Sequence, residues 1–226
     1  KKQGERFGTR FIMQDVDAVD MSQRPFKVTS EGKDYFAHTL ILSTGASAKY
    51  IGLENEERLM NRGVSACATC DGALPMFRNQ ELVVVGGGDT AMEEALFLTR
   101  FASKVLLVHR REVFRASKIM LDRARKHPKI EIVTNVVVDD VLGEDQITGV
   151  RLRNTVSGEV TDRAIGGMFV AIGHQPNTGF LSGQLDCDER GYIITQGQSS
   201  RTNVDGVFAC GDMQDAVYRQ AVTAAG

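Results

Sequence analysis

Apolar positions along the chain fall into short runs broken by polar and glycine-rich turns. FIMQDVDAVDMS (Phe11–Ser22) and PFKVTS (Pro25–Ser30) carry β-like patterning, with SQRP as the turn between them. HTLILSTGA (His38–Ala46) is an apolar, β-branched run that predicts a buried strand entering a loop at Gly45. ELVVVGGGDTAMEEALFLTRF (Glu81–Phe101) begins as a buried strand, breaks at three glycines and continues with helical spacing of Met92, Ala95, Leu96 and Leu98. KVLLVHRR (Lys104–Arg111) predicts the next strand. SKIMLDRARKH (Ser117–His127) predicts a helix that stops before Pro128. IEIVTNVVV, ITGVRLRN and GMFVAIG each read as strands. GVFACGD (Gly206–Asp212) reads as one more short strand, with a helix expected from Val217. This alternation predicts an α/β fold with parallel sheets and some antiparallel hairpins.

Composition narrows the class. The chain has 226 residues, enough for one large or two small domains, and it is 42% hydrophobic and 25% charged, as in a soluble globular protein. A formal net charge of −2 argues against a nucleic-acid partner held by bulk charge. No apolar run approaches the roughly 18 residues of a membrane span, and none marks a signal peptide. Four cysteines do not make a secreted disulfide scaffold, so a reducing, cytoplasmic location is expected.

GGGDTA (Gly86–Ala91) gives the pattern GxGxxA between a predicted strand and a predicted helix. Gly86 permits the tight turn, Gly88 lets a pyrophosphate approach the backbone, and Ala91 allows close helix–strand packing. The competing reading is a plain βα turn with Asp89 as helix cap. An NAD site would place an acid about 20 residues on, at the end of the next strand. That strand ends instead in His109, Arg110 and Arg111, followed by Arg115. Guanidinium groups suit a 2′-phosphate, so NADPH is the expected nucleotide.

RGVSACATCDGALPMF (Arg62–Phe77) holds two cysteines, Cys67 and Cys70, followed directly by Asp71. Redox dithiol, zinc ligands and inert buried thiols are the three readings. Zinc usually needs four protein ligands, yet Cys187 and Cys210 are isolated, and His38, His109, His127 and His174 lack paired spacing. Small neighbours (Ser65, Ala66, Ala68, Gly72) leave room for a partner at the CxxC. A buried Asp71 could give a proton to a departing thiolate. A dithiol together with a nicotinamide site implies a flavin relay between them. A candidate flavin site follows GVFAC, where Asp212 could accept bonds from a polyol or simply cap the next helix.

CATCDG, GGGDTAMEEA, HRREVFRAS, AIGHQPNT and GVFACGD…YRQAVTAAG occur in one order. Together they resemble the low-molecular-weight thioredoxin reductases, over essentially the whole chain. The resemblance implies two Rossmann-like domains, an FAD domain interrupted by an inserted NADPH domain. Residues 1–49 and 177–226 would be the FAD parts and 50–176 the NADPH domain, with crossovers at Ser43–Ser47 and Ala171–Asn177. It implies thioredoxin-disulfide reduction, with electrons passing from NADPH through FAD and the Cys67/Cys70 pair to thioredoxin, in a homodimer. Cys70 would lie nearer the flavin, Cys67 would attack thioredoxin and Asp71 would be the proton donor. Gly86, Gly88, Ala91, His109, Arg110, Arg111 and Arg115 match NADPH-binding positions. Asp212, Arg219, Gln220 and Ala221 match the flavin-contacting stretch, Thr44 and Gly45 a loop near the flavin, and Val16 a position near the adenine.

One departure stands out. The family opens with its own strand–GxGxxG–helix unit, and none precedes Lys1. An internal fragment of a longer protein is therefore expected. Two alternatives remain: a relative that reduces another disulfide acceptor of the peroxiredoxin type, and a non-catalytic NADPH-binding fragment.

Overall fold

Glu81–Val85 and Lys104–His109 lie side by side as parallel strands, joined through the helix Asp89–Leu98. The computed structural model describes residues 1–225. Its backbone divides into two units: Lys1–Ser47 with Gln175–Gly226, and Ala48–His174 between them. Each unit has its own core. The chain crosses from one to the other in short strands, Ala46–Ala48 and His174–Pro176.

The central unit is built on a five-stranded sheet in the order Val64–Ser65, Gly167–Val170, Glu81–Val85, Lys104–His109, Ile130–Thr134. All four pairings are parallel. A parallel sheet needs both faces covered, which explains the near-continuous apolar runs. Alternation then sorts the side chains. Val83, Leu106, Val108, Met168 and Val170 pack on the antiparallel ribbon Val136–Leu142, Gly149–Asn154 and Val160–Ala164. Leu82, Val84, Val105, Leu107 and Phe169 pack on the other face, against Met92, Ala95 and Leu98 of one helix and Ala124 of the next. That second helix, Lys118–Lys126, is capped by Ser117 and ends before Pro128. At the sheet edge, Arg163 bonds both Glu81 (2.6 Å) and Glu131 (3.0 Å), which ties the ribbon to two sheet strands.

Two expectations change here. IEIVTNVVV is two strands, Ile130–Thr134 in the sheet and Val136–Leu142 in the ribbon. Asn135 separates them at φ 57°, a left-handed conformation that Asn tolerates better than most residues. The long strand expected over Phe11–Ser22 shrinks to Ala18–Asp20. Phe11, Ile12 and Met13 find no strand partner and stay exposed.

The flanking unit is assembled from two distant segments. Ala18–Asp20, Phe26–Ser30 and Lys33–Ala37 form an antiparallel sheet of three strands. Its second hairpin turns on Glu31 (φ 47°) and Gly32 (φ 74°), the positive-φ pair that matches strand twist. Leu40–Leu42 pairs in parallel with Val207–Ala209. Val19, Phe26, Leu42, Leu181, Val207 and Met213 share one core. Gln184 stitches the segments together: its Oε1 accepts from Met21 N–H (2.7 Å) and its Nε2 donates to Val19 C=O (2.6 Å). Among the described residues, no helix is long and apolar enough to cross a membrane.

Candidate active site

The glycine-rich turn is crowded on one side and open on the other. A Cβ on Gly86 would stand 2.4 Å from the Ala171 carbonyl oxygen and 2.8 Å from the Ala91 methyl. Both positions must therefore stay small for strand and helix to pack. Gly88, the helix N-cap, is different, since a Cβ there would meet nothing within 4 Å. The chain itself does not demand glycine at that point, and the space lies at a helix N-terminus, which favours anions. Gly87 faces inward, where a Cβ would fall 2.2 Å from the His109 ring.

His109 supports the loop that follows it. Its ring stacks on Phe114 with centroids 4.6 Å apart, and Nε2 lies 3.1 Å from Val113 C=O. Burial pushes its pKa down. The Val113 bond opposes that shift, and the charges of Arg110, Arg115 and Arg111 add to it. Gly87 C=O accepts from the N–H groups of Arg115 (2.8 Å) and Ala116 (3.1 Å), pinning the arginine loop against the turn. Asp89 is not the helix cap but its first residue. Its Oδ1 accepts from Ser117 N–H (2.7 Å) and Ser117 O–H (2.9 Å), joining the starts of both helices.

A cavity of about 330 Å³ opens beside this turn. Gly86, Gly87, His109, Arg110 and Arg115 line one side, and Tyr50, Ile51, Val136, Val138 and Ala171 the other. Of the nucleotide positions expected from sequence, Gly86, His109, Arg110 and Arg115 thus meet in one place. Ala91 is buried beneath Gly86, while Arg111 is exposed on the same loop. Among the described residues, none of Arg110, Arg111 and Arg115 forms an ion pair. Unpaired guanidinium groups around an open glycine turn fit a phosphorylated nucleotide.

Cys67 and Cys70 form a disulfide, with Cα atoms 5.3 Å apart. Cys67 caps the short helix Ala68–Asp71, its sulfur accepting from Cys70 N–H at 3.2 Å. Gly72 ends the helix against the helix Asp89–Leu98, where a Cβ would lie 2.7 Å from Leu98 Cδ2. The dithiol helix and the helix after the glycine turn are therefore in direct contact. Asp71 is half-buried, and its Oδ2 accepts from Ser65 O–H at 2.6 Å. Ser65 also accepts from Cys67 N–H at 3.1 Å. By sequence, Ser65 is only one of the small neighbours of the cysteine pair. A hydroxyl two residues before the first cysteine was the available signal. Tyr50 was missed as well. It lines the cavity, and its pKa is raised by burial first and then by the charges of Glu56 and Asp71.

In the flanking unit, Thr44 donates to Asn177 C=O (2.7 Å) and sits 3.6 Å from Met213 sulfur. Asn177 N–H donates to Gly45 C=O at 3.0 Å. Thr44 and Gly45 thereby adjoin the Gly211–Met213 turn that carries Asp212. Asp212 is half-buried, and among the described residues nothing donates to its carboxylate, so it fits a hydroxylated ligand such as the ribitol of a flavin. Val16 stays exposed before the Ala18–Asp20 strand. The helix expected from Val217 begins instead at Ala221. Asp215 explains the delay: its carboxylate takes the N–H groups of Val217, Tyr218 and Arg219, and Arg219 adopts φ 50°. Burial pushes the Asp215 carboxyl up, but the donors Tyr218, Val217, Arg219 and Thr223 outweigh it and hold it below the usual range. A separate cavity of about 720 Å³ in this unit is lined by Tyr192, Ile194, Gln214, Tyr218 and Val222, and not by Asp212 or Thr44.

Residues 2–226 match the model of the family described as pyridine nucleotide-disulphide oxidoreductase. The chain is 50% identical over 233 residues to thioredoxin reductase 2 of Arabidopsis thaliana, covering 100% of this chain and 61% of that protein. It is 52% identical over 228 residues to the bifunctional thioredoxin reductase/thioredoxin of Mycobacterium leprae, covering 100% and 49%. It thus spans about half to three fifths of the length of these two curated relatives. Among solved structures, thioredoxin reductase from Giardia duodenalis superposes with a TM-score of 0.88 at 43% identity, covering 100% of this chain and 74% of that one. With its parallel sheet, glycine turn and adjoining disulfide, the chain belongs to the pyridine nucleotide-disulphide oxidoreductases, and among them to the thioredoxin reductase family.

Proposed function

We propose that this chain carries the NADPH site and the redox disulfide of an FAD-containing thioredoxin-disulfide reductase. One observation carries the reading. The helix capped by Cys67 packs directly on the helix that begins at the glycine turn, and that turn borders a cavity lined on one side by Arg110 and Arg115. In this reading Ala48–His174 is the NADPH domain, and the two flanking segments contribute to the flavin domain. Gly86 and Gly88 admit the pyrophosphate, Arg110, Arg111 and Arg115 hold the 2′-phosphate, and His109 supports the turn. Thr44, Gly45, Asp212, Arg219, Gln220 and Ala221 face the flavin, with Val16 toward its adenine. Bound FAD supplies the two-electron relay between nicotinamide and disulfide.

The protein residues then perform thiol–disulfide exchange. In the reduced pair, the Cys67 thiolate attacks one sulfur of the thioredoxin disulfide, forming a mixed disulfide and releasing a thiolate. Cys70 sulfur then attacks Cys67, restoring the disulfide and releasing the second thioredoxin thiol. Two electrons and two protons pass to thioredoxin, and Asp71 is the proton donor. The Cys70 N–H directed at Cys67 sulfur favours the thiolate that this attack requires. The complete protein acts as a homodimer in the cytoplasm.

The test is NADPH oxidation with added FAD, with and without thioredoxin, on this chain and on a longer form. The expected result is thioredoxin-dependent oxidation in the longer form. NADPH oxidation there that is indifferent to thioredoxin but stimulated by another disulfide protein would overturn the assigned acceptor.

A further inference from the structure

Ser65 sits at the end of the Val64–Ser65 strand, buried, and paired in register with Phe169 of the central sheet. Its backbone is thus held by the rigid part of the unit, while its side chain reaches into the dithiol helix. A hydroxyl has one proton to donate and two lone pairs. Here the proton goes to Asp71 Oδ2 at 2.6 Å, and a lone pair takes Cys67 N–H at 3.1 Å. One lone pair of Asp71 Oδ2 is thereby taken. Among the described residues, nothing donates to Asp71 Oδ1.

We infer that Ser65 is a positioning residue of the dithiol centre: its hydroxyl clamps Asp71 Oδ2 and the Cys67 amide together, leaving Oδ1 as the oxygen that carries the exchanged proton. This rests on the reading of Asp71 as the proton donor and deepens it. A carboxyl free to rotate presents its proton in many directions, most of them away from sulfur. One held at Oδ2 by a buried hydroxyl keeps Oδ1 on a fixed side. Because the same hydroxyl fixes the Cys67 amide, the acid and the sulfur it serves share one anchor on the sheet. Losing such an anchor costs proton delivery as well as the stability of the two bonds it makes.

The experiment uses the 226-residue chain and dithiothreitol, so it needs neither nucleotide nor thioredoxin. Dithiothreitol thiolate attacks the Cys67–Cys70 bond, a cysteine thiolate leaves, and Asp71 protonates it. The second dithiothreitol thiol closes its ring and frees the other cysteine. The products are two cysteine thiols and one oxidised dithiothreitol, and Asp71 regains its proton from water. Rates are read by quenched alkylation at about pH 6, well below the pKa of an ordinary thiol, where the leaving thiolate must be protonated.

Ser65→Ala is expected to slow reduction by about tenfold, the worth of one bond to the carboxylate charge that develops as Asp71 gives up its proton. In the Asp71→Asn background the same change is expected to alter the rate by less than about twofold, because contacting residues acting as a unit are non-additive. Ser65→Thr, which keeps the hydroxyl, is expected to restore most of the rate. If Ser65→Ala slows reduction equally with Asp71 and with Asn present, the inference is wrong. The same holds if Ser65→Ala leaves the rate unchanged. Thermal midpoints are measured alongside, and if the threonine variant loses its fold the double-mutant comparison decides alone. A chain that behaves as expected with dithiothreitol but is inert toward thioredoxin would fault the assigned acceptor and leave the role of Ser65 standing.

Discussion

The two units solve the same problem with different means. The central unit closes a continuous parallel sheet within one stretch of chain, Ala48–His174. Its core residues Leu82, Val83, Leu106 and Phe169 are fully buried, and its site residues sit on loops braced by that sheet. The flanking unit joins two segments that are far apart in sequence, through a parallel pair of short strands and the Gln184 bonds. It leaves Phe7, Met13, Ile41, Val217 and Val222 exposed. A site on a closed sheet carries its own support. A site divided between segments depends on long-range closure, which costs chain entropy before any contact forms. The candidate nucleotide residues and the dithiol are placed by the first kind of support, and the candidate flavin residues by the second.

The sharpest break in this comparison comes from the cysteines. Cys67→Ser or Cys70→Ser should abolish disulfide exchange while leaving NADPH affinity within about twofold, since neither lines the cavity. Alkylation assays and nucleotide titration measure the two separately. Exchange at the parent rate in either variant would remove the dithiol from the reaction.

Next in size is the arginine loop. Neutralising Arg110 and Arg111 together should raise the NADPH dissociation constant by at least about tenfold, because each charge-assisted bond contributes about 1.5–3 kcal/mol. Binding of NADH should barely change. Equal weakening of both nucleotides would show that the loop does not read the 2′-phosphate.

The glycine turn separates support from binding. Gly86→Ala should destabilise the central unit by about 1–3 kcal/mol, the usual cost of overpacking against a fixed carbonyl. Gly88→Ala should stay within about 0.5 kcal/mol in stability, as expected where no neighbour is met. It should nevertheless weaken NADPH binding, since its methyl occupies the open space at the helix start. Chemical denaturation and nucleotide titration on both variants test the contrast. Unchanged NADPH affinity in Gly88→Ala would remove the pyrophosphate from that space.

The smallest effect is a pH dependence. His109 has a folded pKa below its ordinary value, so the unfolded chain binds the proton first on acidification. Stability should therefore fall as pH drops below about 6.5 toward the lowered folded value, with a slope no steeper than about 1.4 kcal/mol per pH unit, the limit for one proton. Unfolding followed at several pH values, with His109→Gln as control, isolates the term. A slope that survives in the control assigns it to other groups.

What the sequence disclosed follows the same division. Glu81–Val85, Asp89–Leu98 and Lys104–His109 were readable because their order, periodicity and glycine turn are local. The Cys67/Cys70 pair was readable by spacing. Ser65 as a partner of Asp71 was not, because that bond depends on how a strand end meets a helix six residues later. The late start of the helix at Ala221 was hidden for a similar reason. Asp215 gathers three backbone N–H groups into a turn that competes with helix, and propensity does not register such bonds. Phe11–Met13 form an apolar run that reads as part of a strand but lacks a neighbour to pair with, and pattern alone carries no information about partners. Asp212 was legible as a carboxylate at a strand end, whereas Val16, Thr44 and Gly45 came from resemblance alone, and their support is spread over separate elements.

The fit of the His109 ring over Gly87 has a consequence for descent. A methyl at position 87 would collide with the imidazole, and a smaller residue at 109 would remove the ring on which Phe114 stacks. Neither position is free to drift alone. Lineages that alter one should be found to have altered the other, so the two sites, 22 residues apart in the text of the gene, are inherited as a single character.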